Sequence, residues 1–105
     1  MSETQLSLAI REALLATGKV LLWRNNTGKL QDRTGRWITY GLGVGSADII
    51  GILKGSGRFC AWEVKLEGRK MTPEQVAWHA VVNKAGGLAV VVRSVEEALD
   101  SLAHA

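Results

Sequence analysis

Gly45-Ser46-Ala47-Asp48-Ile49-Ile50-Gly51-Ile52-Leu53, a tight Lys54-Gly55-Ser56-Gly57 connection, then Arg58-Phe59-Cys60-Ala61-Trp62-Glu63-Val64-Lys65-Leu66 is the stretch on which the fold turns. The first part reads as a buried strand entered by an aspartate. The four-residue connection reads as a hairpin, so the Arg58 to Leu66 strand runs back alongside it. Alternation along that strand puts Cys60, Trp62, Val64 and Leu66 on one face and Phe59, Ala61, Glu63 and Lys65 on the other. The hairpin sets the carboxylates of Asp48 and Glu63 within reach of each other.

Working outward, Thr72-Pro73-Glu74-Gln75 combines a capping threonine, a proline at the first helical position and a glutamine at the third. The helix it opens runs to about Lys84, where Ala85-Gly86-Gly87 stops it. Leu88 to Val92 is an aliphatic run suited to a strand buried on both faces. Ser94-Val95-Glu96-Glu97 has the form of a capping box and opens a terminal helix. Upstream, Ser2-Glu3-Thr4-Gln5 is another box, followed by Leu6, Ile10, Ala13 and Leu14 at helical spacing and ended by Gly18. Lys19 to Arg24 reads as a strand, broken by Asn25-Asn26-Thr27-Gly28. Arg36 to Tyr40 reads as the next strand, with a loop between. The predicted order is α-β-β-β-β-α-β-α. Early hairpins are antiparallel and the Arg58 to Val92 unit is a right-handed parallel crossover. That is an α/β class, a mixed sheet flanked by helices.

The whole chain, 105 residues with 47% hydrophobic and 22% charged, fits one domain, 1–105, able to bury a core without staples. No apolar run reaches the ~18 residues of a membrane helix and no signal peptide opens the chain. The single cysteine, Cys60, forms neither an internal disulfide nor a cysteine-based zinc site. These features exclude a secreted mini-protein, a zinc finger, a membrane protein and a disordered tail, and they lead us to expect a soluble, cytoplasmic protein. The formal charge is +3, unevenly placed: Lys19, Arg24, Lys29, Arg33 and Arg36 share their segment with one acid, Asp32. Such a patch attracts a polyanion, although a merely solvated basic hairpin has the same composition.

Asp48 either bonds its own turn backbone or is paired, because an aspartate entering a core strand costs free energy when left alone. Glu63-x-Lys65 by itself also suits an edge strand with one wet face. Together the three form a chemical kit. Two carboxylates suit a hard divalent cation, which acidifies water and neutralises phosphoryl charge, while a neighbouring lysine orients the attacking water.

Asp48, fourteen intervening residues, then Glu63-Val64-Lys65 resembles the D…(D/E)-x-K signature of the PD-(D/E)XK nuclease superfamily. The finer resemblance is to the VRR-NUC family, the virus-type replication–repair nucleases. It rests on Gly45-Ser46-Ala47-Asp48-Ile49-Ile50-Gly51, Trp62-Glu63-Val64-Lys65, Gln75 and Gly86-Gly87, and it spans nearly the whole chain. The proline of the superfamily's signature is Ala47 here. The resemblance implies a restriction-endonuclease-like core, with Asp48, Glu63 and the Val64 carbonyl as metal ligands and Lys65 as the catalytic lysine. Gln75 matches the family's helix glutamine near the site, and it also serves its own helix as a capping residue. Glu3 matches the acidic residue of the first helix that can join the metal, and a glutamate suits a first turn in any case.

The expected function is a Mg2+- or Mn2+-dependent endonuclease on DNA, with no small-molecule cofactor. Arg24, Lys29, Arg33, Arg36 and Lys70 are the candidate phosphate contacts. A small domain has little surface for reading bases, so structure-selective cutting is expected. The resemblance implies a homodimer on branched DNA such as a Holliday junction, in a bacterial or phage-infected cell and in DNA repair. The rival readings are a non-catalytic DNA-binding or assembly module on the same scaffold, and an RNA-processing nuclease. Gly41-x-Gly43-x-Gly45 precedes a strand, so it is neither a P-loop nor a dinucleotide fingerprint. Trp23, Trp37, Trp62 and Trp78 suit either base stacking or the core. His79 and His104 have no partner in the pattern, and Cys60 alternates with core residues.

Overall fold

The computed structural model describes residues 1–105. Each long helix starts where its capping residues stand. Ser2 Oγ accepts the Gln5 N–H at 3.1 Å and Gln5 Oε1 accepts the Ser2 N–H at 2.8 Å, opening α1 (Glu3–Ala16). Thr72 and Gln75 exchange the same pair of bonds at the start of α2 (Pro73–Lys84). The third cap differs from expectation. Ser94 Oγ accepts the Glu97 N–H, but the Glu97 carboxylate reaches past Ser94 to the Arg93 N–H at 3.1 Å. The helix it opens is α3 (Val95–Ala103).

Six strands are present: β1 (Val20–Arg24), β2 (Gly28–Gln31), β3 (Trp37–Tyr40), β4 (Ile49–Leu53), β5 (Phe59–Val64) and β6 (Leu88–Val92). The order is therefore α-β-β-β-β-β-α-β-α, one strand more than expected. The extra strand is β2, which lies in the segment read as a loop. Gly28-Lys29-Leu30-Gln31 carries one apolar residue and is exposed beyond Gly28, so it shows no alternation; only its pairing with β3 makes it a strand. Nor does β1 pair with the Trp37–Tyr40 strand. The four-stranded sheet runs β1-β4-β5-β6, and β2-β3 is a separate two-stranded sheet inserted between β1 and β4. In the main sheet β1, β4 and β5 are antiparallel and β6 lies parallel to β5 across the α2 crossover.

The alternation in β5 separates two cores. Cys60, Trp62 and Val64 join Leu6, Ile10 and Leu14 of α1 and Ala98 and Leu102 of α3 on one face. Ala61 joins Ala47 and Ala89 on the other, covered by Phe59, Trp78 and Val82. Trp62 is fully buried, and its indole N–H donates to Ser101 Oγ at 2.8 Å. Burial pushes the Cys60 thiol up to about 11, so it stays protonated and inert. No helix is long and apolar enough to cross a membrane.

The β2-β3 hairpin stands apart from these cores. Leu30, Trp37, Ile38 and Tyr40 are all exposed. The chain measures 47 × 32 × 24 Å, with a radius of gyration of 14.4 Å; a compact chain of this length would have about 13 Å. Asp32 closes the hairpin turn by accepting from the Thr34 and Arg36 N–H groups and the Thr34 hydroxyl. The Thr34 hydroxyl, with those backbone bonds, holds the Asp32 carboxyl below its ordinary range.

Return from the hairpin runs through Gly41, Gly43 and Gly45, all at positive φ. At Gly45 (φ +85°) a side chain would strike the Glu74 carbonyl at the start of α2. Strain and clash act together there, so Gly45→Ala is expected to cost about 2–4 kcal/mol, read from urea denaturation. An unchanged midpoint would mean that this turn does not rest against α2.

Candidate active site

The β4–β5 register pairs Ile49 with Trp62, which sets Asp48 and Glu63 across from each other at the ends of their strands. Asp48 is held by its neighbours. Its Oδ2 accepts the Val64 N–H at 3.0 Å, and its backbone carbonyl accepts the Asn25 N–H at 2.8 Å. Asn25 also donates its side-chain amide to Ser46 Oγ and the Ala47 carbonyl, each at 2.8 Å. Ser46 Oγ donates in turn to the Gly43 carbonyl at 2.7 Å. The turn that presents the aspartate is thus clamped on both sides. Neither Asn25 nor the Val64 N–H stands out in the sequence, because their roles depend on contacts across the sheet.

Glu63 is only 2% exposed, and its Oε1 is sealed from water without a hydrogen-bond partner. Burial pushes its carboxyl from an ordinary 4.5 up to about 9; the Asp48 carboxylate, within hydrogen-bonding reach, adds to the rise, and Lys65 opposes it. β5 is an inner strand, between β4 and β6, and the Glu63 side chain is buried on its face. The edge-strand alternative for Glu63-x-Lys65 is thereby set aside. Lys65 follows β5 directly, half-buried, with its N–H on the Val92 carbonyl at 3.1 Å.

Glu3, Arg24 and Asp48 line one cavity of about 200 Å³ between α1 and the end of β1, together with Ser7, Arg11 and Asn25. Glu3 is exposed on the first turn of α1 and adds to the field that raises Glu63. No three His, Cys, Asp or Glu side chains converge as a ready ligand set. Gln75 spends its side-chain oxygen on the Thr72 N–H, and its own backbone N–H lies against the Gly45 turn. Lys29, Arg33 and Arg36 stand exposed on the hairpin, with Arg36 paired to Asp32 at 3.3 Å. Lys70 is exposed in the connection from β5 to α2. Of the four tryptophans, Trp62 is core, Trp78 packs edge-on against Phe59 at 6.3 Å, and Trp23 and Trp37 are exposed.

The donor set suits a hard cation. Asp48 and Glu63 set two carboxyl groups side by side, one of them with an orphaned buried oxygen; burial and the Asp48 charge disfavour ionisation of Glu63, and a cation between them would reverse that. Oxygen donors of this kind fit Mg2+ or Mn2+ rather than a softer metal.

Comparison with known proteins bears on the family. The VRR-NUC domain model matches residues 1–96. A solved structure described as "VRR_NUC domain" is 26% identical, covers 97% of this chain and 95% of its own, and superposes with a TM-score of 0.66. No curated protein matches. The mixed sheet with helices on both faces is consistent with a PD-(D/E)XK core. With the match running from the first residue into α3, the chain belongs to the VRR-NUC family of nuclease-type domains.

Proposed function

We propose that this chain is a divalent-metal-dependent endonuclease that cuts DNA phosphodiester bonds, selects branched structures such as four-way junctions, and works as a homodimer in the cytoplasm. The buried, unpartnered Glu63 oxygen beside Asp48 carries the reading. A carboxyl buried in a central strand with an unsatisfied oxygen costs about 1–3 kcal/mol even when it holds its proton. Such a cost persists where function needs the group.

Asp48 and Glu63, with the Val64 carbonyl, would hold Mg2+ or Mn2+. Bound there, the ion would supply charge against the phosphoryl oxygens and a more acidic water. Asp48 is kept in place by the Val64 N–H on its Oδ2, which fixes the carboxylate beside Glu63. Lys65 orients the attacking water and offsets the developing phosphorane charge. Glu3 stands at the margin as an additional carboxylate and Gln75 flanks the turn that carries Asp48. Arg24, Lys29, Arg33, Arg36 and Lys70 meet phosphates and fix position rather than sequence. A two-fold dimer would bring two such sites to two strands.

The test is cleavage of labelled four-way-junction, flap and linear duplex DNA with Mg2+, Mn2+ or EDTA, beside Asp48→Asn. Cutting of the junction that needs the metal and vanishes in the variant is expected. Tight junction binding with no cutting in any metal would leave a binding module in place of an enzyme.

A further inference from the structure

Arg11 lies on α1 in the same stripe as Ser7 and Glu3, each four residues from the next, and lines the cavity that Asp48 borders. Its Nε is sealed from water and has no hydrogen-bond partner. That N–H is left without an acceptor, while the side chain lines the open cavity. Arg24 faces the same cavity from the end of β1. Neither arginine is in an ion pair, although Glu3 and Asp48 border the space they share.

Two unpaired guanidiniums from separate elements, with the Ser7 hydroxyl and the Asn26 amide beside them, form a donor-rich wall. The carboxylates hold the opposite sign close by. The cavity of about 200 Å³ has room for roughly six waters' share of liquid, enough for a phosphate group with part of its hydration. Planar guanidinium forks match phosphate oxygens with two parallel bonds.

We infer that this cavity is a binding site for one nucleic-acid phosphate, clamped between Arg11 on α1 and Arg24 on β1. Asp48 and Glu3 stand on the cation side of that phosphate, so the inference rests on the proposed metal-dependent reading. Arg11 contacts the substrate and holds the backbone against the carboxylates. Lys29 and Arg33 do not line this cavity and meet other phosphates from the hairpin.

The experiment measures affinity for four-way-junction DNA over a salt series, in Ca2+ to suppress cutting, for the parent chain, Arg11→Gln, Arg11→Lys and Arg24→Gln. Thermal melting of each confirms folding. Arg11→Gln should bind about tenfold more weakly and lower the slope of log K against log salt by about one ion, with Arg11→Lys recovering the slope. Arg24→Gln should lower the slope equally, and because Arg24 is exposed it serves if Arg11→Gln fails to fold. Unchanged slopes in the folded variants would overturn the clamp. If the parent cuts junctions in Mg2+ while the slopes stay unchanged, the clamp alone fails. If the slopes fall but the parent never cuts, the clamp stands and the nuclease reading fails.

Discussion

Glu63→Gln is expected to abolish cutting and yet to be harder to unfold than the parent. Burial, with Asp48 beside it, lifts the Glu63 carboxyl to about 9. Between its ordinary value of 4.5 and about 9 the folded chain therefore holds a proton that the unfolded chain releases. Stability falls as pH rises through that window and is complete below it, the opposite of an ordinary salt-bridged acid. Glutamine has the same shape, carries no charge and keeps an N–H to offer Asp48. In chelator the gain should be on the order of 1–3 kcal/mol near pH 8 and should shrink toward zero near pH 5. Urea denaturation at the two pH values reads it. Mg2+ should then stabilise the parent and leave the variant unmoved, since only a ligand bound to the folded state shifts the equilibrium. A variant less stable than the parent at pH 8 would mean that Glu63 is satisfied by something other than a cation.

Lys65→Ala should do the reverse: little change in stability or binding, and a loss of ~10²–10⁴ in single-turnover cleavage rate. Its backbone N–H is tied to Val92, so the sheet does not depend on the side chain, which is half-buried. Lys65→Arg should not rescue the rate, because a planar fork does not replace a compact ammonium beside a water. The contrast between affinity and rate is the readout. An Ala variant that cuts at the parental rate would remove Lys65 from the chemistry, whatever its position.

The pairing of Asp48 with Glu63 was legible because it is local. A four-residue connection and a period of two place both carboxylates before any tertiary contact is considered, and the observed β4–β5 register keeps them there. Helix starts were legible for the same reason, through caps that span three residues. The Ser94 cap shows the limit: the spacing was right, but Glu97 chose the donor one residue earlier. The partner of β1 was not legible, because β1 and β4 meet across the 24 residues from Asn25 to Asp48. Nothing in Gly28-Lys29-Leu30-Gln31 signals a strand until Trp37–Tyr40 lies beside it. Arg11 and Asn25 were silent too. Their importance comes from an unfilled hydrogen bond and a clamp, and neither has a sequence pattern.

The β2-β3 hairpin leaves the main sheet at Asn25 and returns at Ser46, and both ends meet in the clamp that fixes Asp48. A two-stranded arm with exposed apolar residues holds itself together only weakly. Its amides should exchange with solvent far sooner than those of β4 and β5. A readily opened segment is thus hinged on the aspartate of the candidate site. Torque on the arm is delivered at that hinge. The arm can therefore vary in length and composition without disturbing the β1–β4 ladder, while any variant that loosens Asn25 or Ser46 uncouples arm and acid together.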